Sequence, residues 1–213
     1  MAFGICTTPS APPQRTACLN TSQAVILWAG LLLGLLLVPY TAQATARDAA
    51  DPELRQRLMT AVATSTSFSD RYEAEVWLLD MSQRLAKHLP DPDKRLDFLR
   101  LVHHEATLAG LPPELVLAVI EVESGFNRWA ISRSGAQGLM QVMPFWLKEI
   151  GRPGDNLLKP STNLRMGCTI LKYYLDIEKG RLRPALARYN GSLGRRQYPD
   201  KIFNALNNRW YRQ

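Results

Sequence analysis

The sequence has 213 residues, enough for one domain with a substantial core, and a formal net charge of +7 from 26 Lys and Arg against 19 Asp and Glu. A basic surface of this kind suits an acidic polymer or an anionic membrane surface as a partner. The basic residues are spread along the chain without a cluster interleaved with aromatic residues. The composition therefore argues against a nucleic-acid-binding protein.

The N-terminal region predicts export. An apolar run, AVILWAGLLLGLLLV, occupies residues 24–38 and is followed by Ala42-Gln43-Ala44 and Ala44-Thr45-Ala46. An apolar run followed by an A-x-A-like site is typical of a secretory signal, and this run is shorter than the roughly 20 residues of a membrane span. We therefore expect residues 1–46 to be a signal peptide and the mature protein to be periplasmic. The alternative is an inner-membrane anchor formed by residues 24–38.

The cysteines predict a mature chain without an internal disulfide. Of Cys6, Cys18 and Cys168, only Cys168 follows the predicted cleavage site. It lies in the largely apolar segment NLRMGCTILKYYL, where a free cysteine behaves as a small apolar side chain. We expect Cys168 to be buried and to take no part in catalysis.

Beyond the signal, the spacing of apolar residues predicts helix after helix. Residues 47–92 are expected to form an N-terminal helical extension or linker, with one helix over 70–89 capped by Ser69 and ended by Pro90 and Pro92. Further helices are predicted over residues 93–110, 112–124, 139–151, 164–180 and 198–212. Residues 126–138 have no helical period and predict a loop with a small β excursion. Since no strand–helix alternation occurs, the predicted fold is mostly α.

The common motifs of metal and nucleophile chemistry are missing from the sequence. His103-His104-Glu105 fails as a zinc motif, because the residue four positions after His104 is Leu108 and not histidine. The chain also lacks a G-x-S-x-G nucleophile elbow and a phosphate-binding loop. We expect neither a metal nor a cofactor.

Two carboxylates stand out instead. Glu121 and Glu123 close the apolar run ELVLAVIEVES at the end of a predicted helix. Burial disfavours the ionised carboxyl, and the helix C-terminus disfavours it further, so either glutamate could stay protonated as a general acid. Two residues apart on a helix, they point about 200° apart and cannot act on one bond together. Periodicity alone leaves open which of the two is the acid.

Four motifs in a fixed order give the chain a resemblance to a known family, and this resemblance distinguishes Glu121 from Glu123. These are Glu123-Ser124, the segment from Ser132 to Pro144 (SRSGAQGLMQVMP), Asn163, and Ala187-Arg188-Tyr189-Asn190. In this order and spacing, the chain resembles the soluble-type lytic transglycosylases of glycoside hydrolase family 23 over roughly residues 100–205. The resemblance implies a single lysozyme-like, α-rich catalytic domain over residues 93–213. After Asn190 the chain continues Gly191-Ser192-Leu193-Gly194, where many relatives have a residue before the first glycine.

The resemblance also implies roles for individual residues. Glu123 corresponds to the catalytic acid/base, and Gly135 and Gly138 correspond to loop positions where the backbone comes close to the sugar. Tyr189 matches a tyrosine that lies beside the acid and is able to stack on a sugar and hydrogen-bond the glutamate. The substrate-binding set carried over from the family comprises Ser124, Gln141, Met143, Tyr189 and Asn190.

The implied activity is cleavage of the MurNAc–GlcNAc β-1,4 bond of peptidoglycan without water, which leaves 1,6-anhydro-MurNAc ends. Peptidoglycan strands are then the expected partner. The alternatives are a hydrolytic muramidase that uses the same glutamate, and a wall-binding or secretion-system accessory protein with little catalysis.

The distribution of acidic residues favours the first of these activities. Glycosidases with two catalytic carboxylates hold them about 5 to 9.5 Å apart. In a lysozyme-like cleft, the second carboxylate is expected in the segment after the catalytic helix, yet the 25 residues from Ser124 to Lys148 contain no Asp or Glu. This pattern predicts a transglycosylase, unless Glu149 or Asp155 folds back into the cleft.

Overall fold

The structure is a computed structural model that describes Gln56, residues 66–68 and residues 70–211. All of these residues belong to one compact unit, Ala50–Gln213. The predicted signal segment lies outside the described residues, as do Cys6 and Cys18. The described part of the chain contains seven α-helices and no strand, only isolated β-bridges, which confirms the mostly α fold class.

The helices follow one another with short connections. Their bounds are α1 Arg71–Leu85, α2 Pro92–Leu108, α3 Pro113–Ser124, α4 Trp146–Ile150, α5 Pro160–Ile177, α6 Leu182–Tyr189 and α7 Gln197–Ala205, after which a π-helical turn covers Leu206–Trp210.

Aspartates cap the first two helices. The side chain of Asp70 accepts a hydrogen bond from the Glu73 amide of α1, so the prediction that Ser69 caps this helix is wrong. Asp91 caps α2 in the same way, with Pro92 in the first turn. Pro92 therefore opens the second helix instead of merely ending the first.

Helix α3 forms the centre of the core. Six consecutive residues, Leu115 to Ile120, are buried, because α2, α7 and the π-helical turn all pack against this helix. Burying an apolar side chain fully contributes about 1.5–3 kcal/mol, so this packing stabilises the helix. The two glutamates lie in its last turn.

Helix α1 contributes to the same core. Trp77, Leu78, Met81 and Leu85 belong to the same buried cluster as α3, and the Trp77 indole donates a 2.8 Å hydrogen bond to Glu114. The helical region that precedes the predicted catalytic domain thus packs directly on the core.

His103, the first histidine of the failed zinc motif, packs against an aromatic ring. The ring of His103 stacks on Phe68 with centroids 3.6 Å apart, and its Nδ1 lies 2.8 Å from the Ser67 hydroxyl. Burial lowers the pKa of His103 to about 4, so the ring is neutral at physiological pH. Within residues 66–68 and 70–211, no three His, Cys, Asp or Glu side chains are placed to share a metal ion.

Two other expectations can be compared with the structure. Cys168 is buried and free, as predicted, and burial raises the pKa of its thiol. No helix in the described part of the chain combines the length and the apolar character that a membrane span requires.

The segment between α3 and α4 differs from its prediction. Helix α4 covers only Trp146–Ile150, because Gly138 (φ 76°) and Gln141 (φ 49°) have left-handed backbone conformations that a continuous helix excludes. The β excursion consists of two isolated bridges, from Gln137 to Ile131 and to Val142. A compact series of turns therefore covers the end of α3.

Candidate active site

Glu123 lies in the last turn of α3, one turn beyond the buried core. Gly125, with φ 57°, ends the helix in a left-handed C-cap. Burial raises the pKa of the Glu123 carboxyl to about 7, although a 2.6 Å hydrogen bond from the Tyr198 hydroxyl opposes this shift. A carboxyl with this pKa is partly protonated at neutral pH and can both donate and accept a proton.

A cavity of about 550 Å³ opens beside this carboxyl. Besides Glu123 and Tyr198, its lining comprises Val122, Asn190, Ser192, Arg195, Gln197 and Lys201. Among the described residues that line it, Glu123 is the only acid.

Nearby acids are engaged elsewhere. Asp155 is held by the Arg165 guanidinium at 2.5 Å and by the Arg152 amide at 2.7 Å, and Glu149 lines a different groove on α4 and α5. Asp200 lies on α7, between the cavity-lining residues Tyr198 and Lys201, and forms an ion pair with Arg183. Neither of the two acids considered as exceptions, Glu149 or Asp155, reaches the lining of the Glu123 cavity.

Glu121 has a different environment from Glu123. Its carboxylate accepts hydrogen bonds from Arg209 Nε at 2.8 Å and from the Trp210 indole at 2.6 Å. Glu121 thus anchors the π-helical turn to the end of α3.

The loop over α3 is held by a buried amide. Asn163, in the first turn of α5, accepts a hydrogen bond from the Met140 amide and donates to the carbonyls of Gln137 and Leu157, each at 2.8 Å. Both amide hydrogens and one lone pair of the amide oxygen of this buried side chain therefore fix the backbone of the loop and of the segment before α5.

Gly138 is required for this arrangement. A Cβ at this position would lie 2.5 Å from the Leu157 carbonyl oxygen and would also overlap the Asn163 side chain. The close approach at Gly138 is therefore to the protein itself, while the expected approach of the backbone to the sugar stays a prediction. At Gly135 (φ 88°), a Cβ would meet no atom within 4 Å, and only the backbone conformation requires glycine.

Ser124 and Gln141 also hold the loop. The Ser124 hydroxyl donates to the Leu139 carbonyl at 2.8 Å and lies 3.1 Å from that of Ile120. The Gln141 amide nitrogen donates to the carbonyls of Ala130 and Gly138, at 3.2 and 2.9 Å. Neither residue lines the described cavity beside Glu123. Both hydrogens of the Gln141 amide nitrogen are used, so the Gln141 side chain can offer a ligand only its amide oxygen, as an acceptor.

Of the two remaining predicted site residues, only one lines the cavity. Met143 is half-buried in the turn before α4, where its carbonyl accepts a hydrogen bond from the Trp146 amide, and it is not part of the described cavity lining. Asn190 is the exposed C-cap of α6 and does line the cavity.

The tyrosine that hydrogen-bonds the acid is Tyr198. Tyr189 instead donates a 2.7 Å bond to the Met140 carbonyl, although its hydroxyl is near enough for the Glu123 charge to raise its pKa in addition to burial. The expectation that Tyr189 bonds the glutamate is therefore corrected. Tyr198 escaped notice because its spacing with Ile202 and Ala205 is that of the buried face of an amphipathic helix.

The polar side of the cavity was not predicted from the sequence. Ser192, Arg195, Gln197 and Lys201 follow the tyrosine–asparagine motif on the loop before α7 and on its first turns. The only available signal was their position within about ten residues of that motif.

Fold and site together define a mostly α-helical domain that presents one desolvated carboxyl to a polar cavity at the end of its central helix. Residues 100–209, about half of the chain, match the family model for the transglycosylase SLT domain. The chain belongs to this family.

Several known proteins are similar to the chain. It is 35% identical over 129 residues to the membrane-bound lytic murein transglycosylase C of Yersinia pestis (strain Pestoides F), and equally to that of Yersinia pseudotuberculosis (serotype O:1b, strain IP 31758). Each match covers 53% of this chain but only 35% of the relative, so the chain spans about a third of the length of these relatives.

Solved structures give a weaker likeness. A complex of the 70-kDa soluble lytic transglycosylase with bulgecin A matches with a TM-score of 0.42 and 24% identity, over 68% of this chain and 26% of that one. An inactive mutant of the lytic transglycosylase Slt from Pseudomonas aeruginosa matches with a TM-score of 0.42 and 22% identity, over 73% and 34% of the two chains.

Proposed function

We propose that this protein is a lytic transglycosylase that cleaves the β-1,4 bond between MurNAc and GlcNAc in peptidoglycan and forms 1,6-anhydro-MurNAc ends. Membership of the SLT family and the named activity of the Yersinia relatives support the reaction class. The geometry around Glu123 supports the mechanism.

Glu123 acts first as the general acid. The carboxyl is raised to a pKa of about 7, so a protonated fraction is present at neutral pH to protonate the glycosidic oxygen as the bond to C1 breaks. The Tyr198 hydroxyl donates to one carboxyl oxygen, Oε1, and the other oxygen is the one proposed to carry the transferred proton.

Glu123 then acts as the base. As a carboxylate, it removes the proton from the C6 hydroxyl of the same MurNAc, and O6 forms the new bond to C1. The proton count balances, because the glutamate gives one proton to the leaving sugar and regains one from the hydroxyl. No water is consumed, and the intramolecular attack gains on the order of 7 kcal/mol from proximity in well-oriented cases.

One observation carries the choice between transglycosylase and hydrolase. Of the described residues lining the cavity, none besides Glu123 has a carboxylate that could stabilise an oxocarbenium ion or activate a water. The substrate can supply both functions itself, since its 2-acetamido group can stabilise C1 and its C6 hydroxyl is the nucleophile.

Asn190 is proposed to contact the sugar from the cavity wall, whereas Ser124, Met143, Gly135 and Gly138 are proposed to shape the site through the loop. Tyr189 and the free amide oxygen of Gln141 are proposed to border the sugar-binding cleft.

We further propose that residues 1–46 form an export signal, residues 47–92 a helical extension and residues 93–213 the catalytic domain, with the protein acting in the periplasm. The similar Yersinia transglycosylases are membrane-bound by name, which supports an envelope location. Sequencing the N-terminus of cell-purified protein tests this, and an intact residue 24–38 segment in the membrane fraction would favour the anchor.

The deciding experiment is digestion of purified sacculi in ¹⁸O-water, followed by mass analysis of the muropeptides. We expect 1,6-anhydro-MurNAc ends without label. Mostly ¹⁸O-labelled reducing ends would identify a muramidase and contradict the proposal, and the absence of any cleavage would favour the wall-binding alternative.

A further inference from the structure

A row of aromatic rings lies along a groove between α4 and α5, on residues that the proposed mechanism does not use. Phe145 packs on Trp146 with ring centroids 5.0 Å apart, and Trp146 meets Tyr174 at 81° with centroids 6.5 Å apart. Tyr174 in turn lies 5.4 Å from Tyr173. Trp146 and Tyr174 pack against the core, whereas Phe145 and Tyr173 are 52% and 54% exposed. Two exposed rings are therefore held in place by two anchored ones.

This groove is large enough for a ligand and is separate from the cavity beside Glu123. Its volume is about 460 Å³, which is within the range of small-molecule sites. It shares no lining residue with the Glu123 cavity. Its apolar lining is accompanied by the side chains of Glu149 and Thr169 and by the hydroxyl of Tyr173. A groove of mainly apolar and aromatic character with a few polar groups is typical of a binding site.

The polar groups of the groove are mainly hydrogen-bond acceptors. Glu149 is exposed and forms no ion pair within residues 66–68 and 70–211, so its carboxylate oxygens are available to a ligand. The Thr169 hydroxyl donates its hydrogen to the Arg165 carbonyl at 2.8 Å, which leaves the oxygen as an acceptor. Among the described residues that line the groove, none is Lys or Arg. The groove therefore suits a ligand that donates hydrogen bonds and carries no negative charge.

A sugar polymer has these properties. The faces of a pyranose ring present C–H groups that can pack on aromatic rings, and its edges carry hydroxyl and acetamido donors. In an intact peptidoglycan strand the lactyl carboxyl is in amide linkage, so the sugar backbone is uncharged. The basic composition also suits an anionic membrane surface, but that surface would meet a carboxylate in this groove and no lining cation.

We propose that the groove between α4 and α5 is a second glycan-binding site, in which sugars of a strand stack on Phe145 and Tyr173 while Glu123 acts elsewhere on the glycan. The identity of the ligand rests on the proposed function. Because the groove shares no residue with the catalytic cavity, it should raise the affinity for polymeric glycan and leave the cleavage of a short substrate unchanged.

Binding is measured with chitin beads, a neutral polymer of N-acetylglucosamine, and with purified sacculi, in proteins that all carry E123Q to prevent cleavage. Salt at about 0.5 M screens the net positive charge and so suppresses binding by charge alone. The double variant F145A/Y173A should raise the Kd for both polymers on the order of 10-fold, since each aromatic contact is worth roughly a 2- to 10-fold change. The conservative variant F145Y/Y173F keeps both rings and should bind like the parent protein.

The matched control is Y72A/L108A. It removes two large apolar side chains, 75% and 71% exposed, from α1 and α2 outside the groove. It should bind both polymers like the parent protein, and thermal melting should show all the variants to be folded. Unchanged chitin binding in F145A/Y173A, or an equal loss in the control, would overturn the inference.

Release of anhydro-MurNAc ends, measured with Glu123 intact, separates this inference from the proposed function. If the wild type releases none from sacculi or from a soluble tetrasaccharide muropeptide, the proposed function fails, and the chitin comparison still decides the present inference. F145A/Y173A should lower the rate on limiting sacculi on the order of 10-fold and keep kcat/KM on the tetrasaccharide. An equal loss on both substrates would place the two rings in the catalytic cleft and overturn the second site.

Sedimentation velocity checks the other occupant that an apolar groove can have, a second copy of this chain. The wild type and F145A/Y173A should sediment in the same oligomeric state. A wild-type dimer that dissociates in the variant while chitin binding is unchanged would assign the groove to self-association and overturn the inference.

Discussion

Glu121 and Glu123 lie two residues apart on α3, yet they bond to different parts of the chain: Glu121 to Arg209 and Trp210, Glu123 to Tyr198. A helix rotates about 100° per residue, so the two carboxyls leave it in nearly opposite directions. The Glu121 carboxylate pairs with a cation and stabilises the fold. The Glu123 carboxyl accepts a hydrogen bond from a neutral hydroxyl beside a cavity, and burial raises its pKa against the effect of that bond.

This division predicts opposite phenotypes for two similar substitutions. Glu123→Gln removes the proton donor at nearly constant shape and should lower turnover on sacculi by about 10²- to 10⁴-fold. Glu121→Gln should keep most of the activity but lower the free energy of unfolding by about 1–3 kcal/mol, because it removes the charge that Arg209 faces. Muropeptide release and thermal melting measure the two effects. Equal losses of activity would mean that the acid has been assigned to the wrong glutamate.

Stability should depend on pH through Glu123. Its pKa is about 7 when folded and near 4.5 when unfolded, so between these values the folded state retains a proton that the unfolded state has released. The wild type should therefore lose stability as pH rises from about 4.5 to 7, by on the order of 2–3 kcal/mol. The Glu123→Gln variant should not show this loss. Its free energy of unfolding, measured in denaturant melts, should exceed that of the wild type only slightly at pH 4 and by the full amount at pH 8. An advantage independent of pH would contradict the raised pKa.

Tyr198→Phe tests how the Tyr198 hydroxyl affects the pKa and the orientation of the Glu123 carboxyl. The phenol hydrogen bond lowers the pKa of Glu123 against the effect of burial, so its removal should shift the alkaline limb of the kcat/KM profile to higher pH. Turnover should fall roughly 10-fold, as one oriented hydrogen bond to a charged group is lost.

Tyr189→Phe is the matched control for that variant. The Tyr189 hydroxyl donates to the Met140 carbonyl and not to Glu123. Tyr189→Phe can therefore lower activity, but it should leave the alkaline limb of the kcat/KM profile at the wild-type pH. If both variants shift the limb equally, or neither does, Tyr198 is not the residue that positions Glu123.

The two loop glycines should differ in their tolerance of alanine. Gly135→Ala should cost about 1–2 kcal/mol, the penalty of a left-handed conformation in open space. Gly138→Ala adds a Cβ 2.5 Å from the Leu157 carbonyl oxygen and should cost roughly 3 kcal/mol or more. Chemical denaturation of the two variants measures this difference. Similar losses would show that the loop can move away from residues 157 and 163.

Local sequence determined the helical class, the buried central helix and the buried Cys168, because each follows from apolar spacing within some 15 residues. The start of α3 at Pro113 follows from proline's fixed φ and missing amide hydrogen, which are also local properties. The resemblance to a family then singled out Glu123, a choice that periodicity had left open.

Only the tertiary structure decided the partners of the polar side chains. Tyr198 reaches Glu123 across 75 residues of sequence and Arg209 reaches Glu121 across 88, so no local pattern could assign either pair. The same holds for Gln141, whose left-handed backbone and two carbonyl contacts replace the predicted helix. Spacing specifies which face of a helix is apolar, but a carboxyl becomes an ion-pair partner or an acid only through the groups that packing brings to it.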